Sequence, residues 1–158
     1  MATEGFSCVL LADRHHGLSE GIRGLLETTF QVVVMVADER SLIEGAKRLH
    51  PALAVVDLSL SRADSLNWIS RLRGGDVDPK VLLLSVHDEP NVCRSAMAAG
   101  VNGFVLKRDI AAELLSAVTA ILDGRRYISA GALDLLSPAE RAMHGEEFPL
   151  AGKRSEES

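Results

Sequence analysis

Residues 53–57 read Leu-Ala-Val-Val-Asp, a short apolar run that ends directly in a carboxylate. The run contains β-branched residues and is too short for a typical helix, so it predicts a buried β-strand with Asp57 at its carboxyl end. Three further apolar runs end in the same way, in Leu-Leu-Ala-Asp13, Leu-Leu-Leu-Ser85 and Phe-Val-Leu-Lys107. A polar side chain therefore directly follows each of four predicted strands.

Five apolar runs of four to seven residues divide the sequence: Phe6–Ala12, Val32–Val36, Leu53–Val56, Val81–Leu84 and Gly103–Leu106. The segments after them carry apolar residues three or four positions apart, which is typical of helices with one buried face. Asp38 or Ser41 can cap the second of these helices, and Gly100 and Gly124 end the fourth and fifth. Alternating strands and helices predict an α/β fold, a flavodoxin-like (βα)5 doubly wound parallel sheet with strand order 2-1-3-4-5.

The composition argues against several classes of protein. The 158 residues suffice for one domain, and 47% of them are hydrophobic but only 4% aromatic, so aliphatic residues must build the core. The net charge is −5 and compact basic runs are limited to pairs such as Lys107-Arg108, which argues against DNA binding by this chain. No apolar run approaches the ~20 residues of a membrane span, and the N-terminus does not read as a signal peptide. We expect a soluble cytoplasmic protein with reduced, buried thiols at Cys8 and Cys93 and no membrane contact.

Ligands of open parallel sheets bind outside the carboxyl ends of the strands, where the strand order reverses. The residues at those ends are Asp13-Arg14, Asp57, Ser85 and Lys107. We therefore expect two carboxylates, a hydroxyl and an ammonium group to meet at one edge of the sheet. The alternative interpretation is that they are ordinary polar residues that end strands.

Three motifs carry a family resemblance: Val-Val-Asp57, Leu-Leu-Leu-Ser85 and Gly-Val-Asn-Gly-Phe-Val-Leu-Lys107. Together they resemble the receiver domain of bacterial two-component response regulators, and the resemblance extends from about Cys8 to Ser129. The segment from Glu113 to Ser129 is similar to the subfamily that carries a helix-turn-helix DNA-binding domain.

We predict that residues 1–129 form the receiver domain and that residues 130–158 form a C-terminal tail. Ser137 and Pro138 suit the start of a short helix near Pro138–Met143, and the charged remainder is expected to be disordered. The related transcription factors begin their DNA-binding domain at a similar Ser-Pro sequence, but the ~17 residues left here are too few for a helix-turn-helix. We therefore expect a receiver that lacks a DNA-binding domain and signals by protein contact.

The resemblance implies that a histidine kinase or phosphotransfer protein passes a phosphoryl group to Asp57. It also implies an Mg²⁺ ion held by Asp57, Asp13 and the backbone carbonyl of Ser59. Lys107 would pair with one phosphoryl oxygen and Ser85 would bond another. Such a domain accepts a phosphoryl group but has no independent substrate turnover, so we do not expect an enzyme.

A conformational switch is part of the same resemblance. Ser85 would move toward the phosphoryl group, and Phe104, three residues before the lysine, would change rotamer. The switch would alter the face made by the fourth helix, the fifth strand and the fifth helix, through which a homodimer could form. Ala98, Val101 and Ala112 are the candidates for the surface of that face.

The residue after Asp13 departs from the family pattern. Receivers usually carry two adjacent acidic residues there, and here the second is Arg14. Repulsion between Arg14 and Mg²⁺ at ~5 Å amounts to about 1 kcal/mol in water and several in a partly buried site, so the affinity for Mg²⁺ should fall. The domain is then either a working phosphoacceptor with weakened Mg²⁺ dependence, or a pseudo-receiver. In the pseudo-receiver, a phosphorylation-independent interaction module, Arg14 forms a salt bridge with Asp57 or Asp13 in place of the metal.

Trp68 and the pair His15-His16 each allow two interpretations. Trp68 on the third helix either lies exposed near the phosphoacceptor loop or packs in the core. The adjacent His15 and His16 indicate a solvated loop before the first helix more than a metal site, because neighbouring helix residues diverge and no third ligand is near in sequence.

Overall fold

The computed structural model of the protein describes residues 8–61, 65–74, 78–136 and 138–139. The strands among them are β1 (Cys8–Ala12), β2 (Val32–Val36), β3 (Leu53–Asp57), β4 (Lys80–Ser85), β5 (Gly103–Leu106) and β6 (Tyr127–Ile128). The helices are α1 (His16–Leu26), α2 (Glu39–Leu49), α3 (Trp68–Leu72), α4 (Pro90–Ala98), α5 (Ile110–Leu122) and α6 (Ala130–Leu133). Short 3₁₀ turns, Leu58–Leu60 and Lys107–Asp109, directly follow β3 and β5.

The six strands form one sheet in the order β2-β1-β3-β4-β5-β6. β1 is parallel to both of its neighbours, with Leu10 opposite Val34 on β2 and Ala54 on β3. β5 is parallel to β4 and to β6. The predicted flavodoxin-like order is confirmed for the first five strands, because a helix after each strand returns the chain to lay the next strand in parallel. The sixth strand is absent from the sequence-based prediction.

The described residues divide into two compact units, one within 1–81 and one within 82–158. In the first unit every residue from Val9 to Ala12 and from Leu53 to Val56 is at most 1% exposed. Both strands are continuously apolar, as expected of parallel strands that are buried on both faces. The outermost strand, β2, is less covered, and Val32 is 48% exposed.

Asp38 is the cap of α2. Its side chain accepts a 2.7 Å hydrogen bond from the Ser41 amide, so Asp38 and not Ser41 is the capping residue. That hydrogen bond lowers the pKa of Asp38 below the usual 3.8. The stabilisation from the cap is therefore present above the usual pKa and is lost as the pH falls through the lowered one.

In the second unit, α4 and α5 both end at a glycine with positive φ, 97° at Gly100 and 88° at Gly124. The residues after these glycines return their N–H groups to the helices, from Val101 to the Ala96 carbonyl and from Arg125 to the Ala120 carbonyl. This is the Schellman arrangement, in which the left-handed residue is normally glycine. Both predicted helix ends are confirmed.

The Schellman turn also explains one wrong prediction. Val101 is 0% exposed and does not lie on the surface, because the residue after the glycine in this turn packs back toward the helix. Ala98 and Ala112, the other two residues predicted for that surface, are exposed.

Gly103 lets α5 approach β5 closely. A Cβ atom at this position would lie 2.6 Å from Ile121 Cδ1 and 2.9 Å from Leu82 Cδ1. Both distances are shorter than a carbon–carbon contact allows. The glycine before Phe104 therefore serves the packing of the helix on the strand.

β6 and α6 extend the second unit beyond the last predicted strand. Tyr127 and Ile128 pair with Gly103 and Phe104 and are 2% and 0% exposed. In the segment that follows, Ala132, Leu133 and Leu136 are buried. The domain boundary at residue 129 stays a prediction, and the described chain continues across it into α6. Of the helix predicted near Pro138–Met143, only 138–139 lie within the described residues, and both are helical.

Several smaller expectations are resolved. Trp68 is 0% exposed, so the core alternative is correct. In the described part of the chain, Cys8 and Cys93 form no disulfide, and only Cys93 is fully buried. Partial burial raises the pKa of Cys8. Across the described ranges, no helix is both long and apolar enough to cross a membrane.

Candidate functional site

Asp13 and Asp57 are neighbours at the carboxyl ends of β1 and β3. The register places Ala12 opposite Val56, so each carboxylate residue follows directly after a paired residue. Asp13 is 4% exposed and Asp57 2%. The structure thus brings together two of the predicted site residues as buried carboxylates, because parallel strands end at the same edge of a sheet.

Ser59 orients the Asp57 side chain. The Ser59 amide N–H and the Ser59 hydroxyl both donate to Asp57 Oδ1, each at 2.9 Å. The backbone turns into the 3₁₀ segment directly after Asp57, which points the amide back at the carboxylate. Asp13 has a similar support, since its Oδ1 accepts a 2.9 Å hydrogen bond from the His15 amide.

Arg14 is linked to Asp57 through Ser59. Its Nη1 donates a 3.2 Å hydrogen bond to the Ser59 carbonyl oxygen, the atom that the family resemblance assigns to Mg²⁺. The Arg14 side chain is exposed. Among the residues that the structure describes, Arg14 forms no salt bridge with Asp13 or Asp57. The pairing expected of a pseudo-receiver is therefore not what the described residues show.

Ser85 and Lys107 are neighbours in the second unit. Ser85 pairs with Leu106 in the β4–β5 register, so Lys107 lies one residue beyond the pair. Ser85 is 1% exposed, and its hydroxyl accepts a 2.8 Å hydrogen bond from the His87 amide. An Arg108–Asp88 ion pair at 3.5 Å joins the loop after Ser85 to the turn after Lys107.

Phe104 is fully buried within β5. Its carbonyl accepts a 3.0 Å hydrogen bond from the Ser129 amide, and Ile128 lies opposite it on β6. The predicted switch residue therefore has an inward position, on the strand that directly precedes Lys107.

A group of polar contacts that join β6 and α6 to β5 and α5 is missing from the sequence-based prediction. The Glu113 carboxylate, 9% exposed, accepts a 2.7 Å hydrogen bond from the Tyr127 hydroxyl and further bonds from the Ala130 amide. Asp109 accepts a hydrogen bond from the Gly131 amide. Glu113 on the otherwise buried face of α5 is the signal in the sequence that could have indicated these contacts, since a buried carboxylate needs donors.

Ser129 extends the short β5–β6 ladder by one bond. Its hydroxyl is fully buried and accepts a 3.1 Å hydrogen bond from the amide of Leu106, the residue before Lys107. Replacement by Ala leaves that buried N–H without an acceptor, so we expect Ser129→Ala to lower the free energy of unfolding by about 1–3 kcal/mol. Urea denaturation followed by circular dichroism measures the change. Exposed Ser116→Ala is the control, and equal stability of the two variants would contradict the assigned bond.

The first unit offers Mg²⁺ an incomplete set of ligands. The Oδ2 atom of Asp13 is buried and has no hydrogen-bond partner among the described residues, which suits a cation. The Ser59 carbonyl, in contrast, is already bonded by the positive Arg14. Within the described ranges no cluster of three or more acidic, His or Cys side chains could hold a metal. The two carboxylates fit Mg²⁺, and the third predicted ligand does not as it stands.

Comparison with known proteins agrees with this geometry. A family model described as the response regulator receiver domain matches residues 9–119. The chain belongs to this family. Receiver domains are signalling modules of two-component systems that interact with histidine kinases or phosphotransfer proteins, and they generally bind Mg²⁺ at the phosphorylation site.

Curated bacterial relatives of this receiver domain are response regulators. The chain is 31% identical over 130 residues to a nitrate/nitrite response regulator homologue of Haemophilus influenzae, across 81% of this chain and 62% of that protein. It is 30% identical over 146 residues to the nitrate/nitrite response regulator NarP of Escherichia coli, across 90% and 67%. The chain thus spans about two thirds of the length of these relatives.

Solved structures share the fold of this receiver domain. A LuxR-family two-component response regulator from Aurantimonas is 29% identical with a TM-score of 0.70, and the match covers 89% of this chain and 96% of that one. The isolated receiver domain of RcsB from Salmonella enterica, 24% identical, gives a TM-score of 0.75 over 83% and 99% of the two chains. This second likeness concerns the fold alone.

Proposed function

We propose that this receiver domain accepts a phosphoryl group on Asp57 from a histidine kinase or phosphotransfer protein and signals by contact with other proteins. The observation that carries the proposal is the buried pair Asp13–Asp57, with Asp57 Oδ1 held by two hydrogen bonds from Ser59. Two bonds to one oxygen fix the orientation of the carboxylate, which presents it as an oriented nucleophile.

The transfer is a displacement at phosphorus. A carboxylate oxygen of Asp57 forms the new P–O bond while the P–N bond to the donor histidine breaks. The electron pair of that bond stays on the imidazole nitrogen, which takes a proton. An acyl phosphate on Asp57 and a neutral histidine result. We assign Lys107 and Ser85 to the phosphoryl oxygens, as the family resemblance implies. The two residues lie together at the carboxyl ends of β4 and β5.

We also propose that this domain binds Mg²⁺, with weakened affinity. Asp13 and Asp57 would hold it, together with the Ser59 carbonyl when Arg14 releases that atom. Once bound, it would offset negative charge on the phosphoryl oxygens. Arg14 opposes this binding through its charge and through its bond to the carbonyl.

Signal output is proposed to run through β5. Phe104 and Ser85 would act as the switch. The surface of α4, β5 and α5 would be the contact face, through which a homodimer would also form. The exposed Ala98 and Ala112 lie on the helices of this face. The location we propose is the cytoplasm, with no DNA binding by residues 1–158 and no turnover of an independent substrate.

A second candidate function is supported by one contact. Arg14 bonds the carbonyl that a metal would need, which favours a phosphorylation-independent pseudo-receiver. The pseudo-receiver, however, is expected to have a salt bridge between Arg14 and Asp13 or Asp57. In the described part of the chain, Arg14 forms neither. We therefore place the phosphoacceptor first.

A phosphodonor assay separates the two functions. The full chain is incubated with phosphoramidate and Mg²⁺, and its intact mass is measured. We expect an added mass of about 80 Da, one phosphoryl group, that maps to the peptide with Asp57. An unmodified wild-type chain, under conditions where a known receiver is labelled, would contradict phosphorylation and favour the pseudo-receiver.

A further inference from the structure

The Arg14 guanidinium is linked to the proposed phosphoacceptor, Asp57, by a single intervening residue. Ser59 joins the two, because its carbonyl accepts from Arg14 and its amide and hydroxyl donate to Asp57. A guanidinium carries five N–H donors in a planar fork. One of them is used on Ser59, and within the described residues Arg14 has no other hydrogen bond or ion pair. Further donors on an exposed side chain are thus available to an anion that is attached to Asp57.

We propose that Arg14 is a phosphoryl-binding residue that supplies, from the chain itself, part of the positive charge that a divalent cation would bring. This inference rests on the proposed phosphorylation of Asp57. The guanidinium keeps its bond to Ser59 and donates a second hydrogen bond to an oxygen of the phosphoryl group. Phosphorylation of Asp57 is consequently less dependent on Mg²⁺ than it would be with an acidic residue at position 14.

The charges of the first unit support this role. Asp13 and Asp57 are buried, and the positively charged Arg14 directly follows Asp13 in the sequence. A phosphoryl group adds about −1.5 to −2 charges beside the Asp13 carboxylate. An arginine is always protonated at neutral pH and forms short, charge-assisted bonds to phosphate oxygens. Its presence therefore lowers the repulsion that an incoming phosphodonor meets even when no metal is bound.

No covalent bond of Arg14 changes during the transfer. An Asp57 oxygen attacks phosphorus, the P–N bond of the donor breaks, and the nitrogen keeps the electron pair and is protonated. Arg14 neither gives nor takes a proton, because a guanidinium stays protonated in proteins. Its contribution is to bind the oxygens whose charge changes during the transfer.

Phosphorylation with and without metal tests the inference. Wild type, Arg14→Ala and Arg14→Lys are incubated with phosphoramidate in Mg²⁺ or in EDTA, and the labelled fraction is followed by intact mass. We expect the wild type to be labelled in EDTA, and Arg14→Ala to lose this metal-independent labelling about tenfold or more. Arg14→Lys should retain part of it, since it keeps the charge but not the fork. Arg40→Ala, at a side chain 87% exposed on α2, is the matched control.

A spectroscopic and a binding measurement complement the rates. The ³¹P chemical shift of the acyl phosphate in EDTA should differ between wild type and Arg14→Ala, because a bonded guanidinium changes the environment of the phosphorus. Calorimetric titration with Mg²⁺ should show tighter binding to Arg14→Ala than to wild type, by about tenfold.

The outcomes distinguish the inference from the proposed function. Equal labelling of wild type and Arg14→Ala in EDTA, with the same ³¹P shift, overturns the role of Arg14 and leaves phosphorylation of Asp57 intact. Absence of label from the wild type in both Mg²⁺ and EDTA overturns the proposed function, and the role of Arg14 falls with it.

Discussion

Asp57→Asn is expected to reduce phosphoramidate labelling by at least about 100-fold, to the background of the assay. The amide keeps the size of the side chain and an oxygen that can accept the two hydrogen bonds from Ser59, so the local fold should persist. Its oxygen is neutral, however, and cannot form the acyl phosphate. Intact mass of the two proteins after equal incubation measures the loss.

Asp13→Asn is the matched control for Asp57→Asn. Both positions are buried carboxylates at the ends of adjacent strands, but only Asp57 is the proposed nucleophile. We expect Asp13→Asn to slow labelling without abolishing it, and thermal unfolding should show that both variants are folded. Undiminished labelling of Asp57→Asn would show that another residue accepts the phosphoryl group and would contradict the assignment.

Trp68→Ala should lower the free energy of unfolding by about 3–5 kcal/mol, the usual loss when a buried Trp is truncated. Trp68 is 0% exposed and is the first residue of α3. Removal of the indole leaves a cavity that neighbouring side chains fill only in part. Because domains are stable by only about 5–15 kcal/mol, the variant should be close to unfolding. Urea denaturation followed by circular dichroism measures the difference. Tryptophan fluorescence cannot be used, because the variant lacks the single Trp of the protein.

Trp68→Phe tests which part of the indole matters. The Trp68 Nε1 atom is buried and has no hydrogen-bond partner among the described residues, and an unsatisfied buried donor costs about 1–3 kcal/mol. Phe removes that donor and keeps most of the ring volume, so the loss of stability should be clearly smaller than for Ala. An equal loss in both variants would indicate that the N–H group has a partner that stabilises the protein.

The five-stranded α/β fold could be predicted because its signals are local. Each apolar run, such as Leu53–Val56, lies within one residue of an observed strand where the residues are described. The glycines that end α4 and α5 mark positions of positive φ. β6 could not be predicted, because two residues form no periodic pattern and their strand exists only through pairing with β5.

The residues of the candidate site could be predicted, but their partners could not. Asp13 and Asp57 follow from the rule that ligand sites lie at the carboxyl ends of parallel strands. The hydrogen-bond partner of Arg14 could not be predicted in this way. A flexible, charged side chain after β1 has several acceptors within reach, and the sequence allowed salt bridges with Asp13 or Asp57 as readily as the bond to the Ser59 carbonyl that is observed.

The sequence by itself determined the alternation of strands and helices, the parallel sheet and the residues at its strand ends, because these depend on hydrophobic pattern and chain connectivity. Only the tertiary structure decided that Trp68 is buried, that β6 and Ser129 complete the edge beside β5, and that Arg14 bonds to Ser59. Each of these depends on which groups distant in sequence come within contact distance. That proximity is set by packing and not by local pattern.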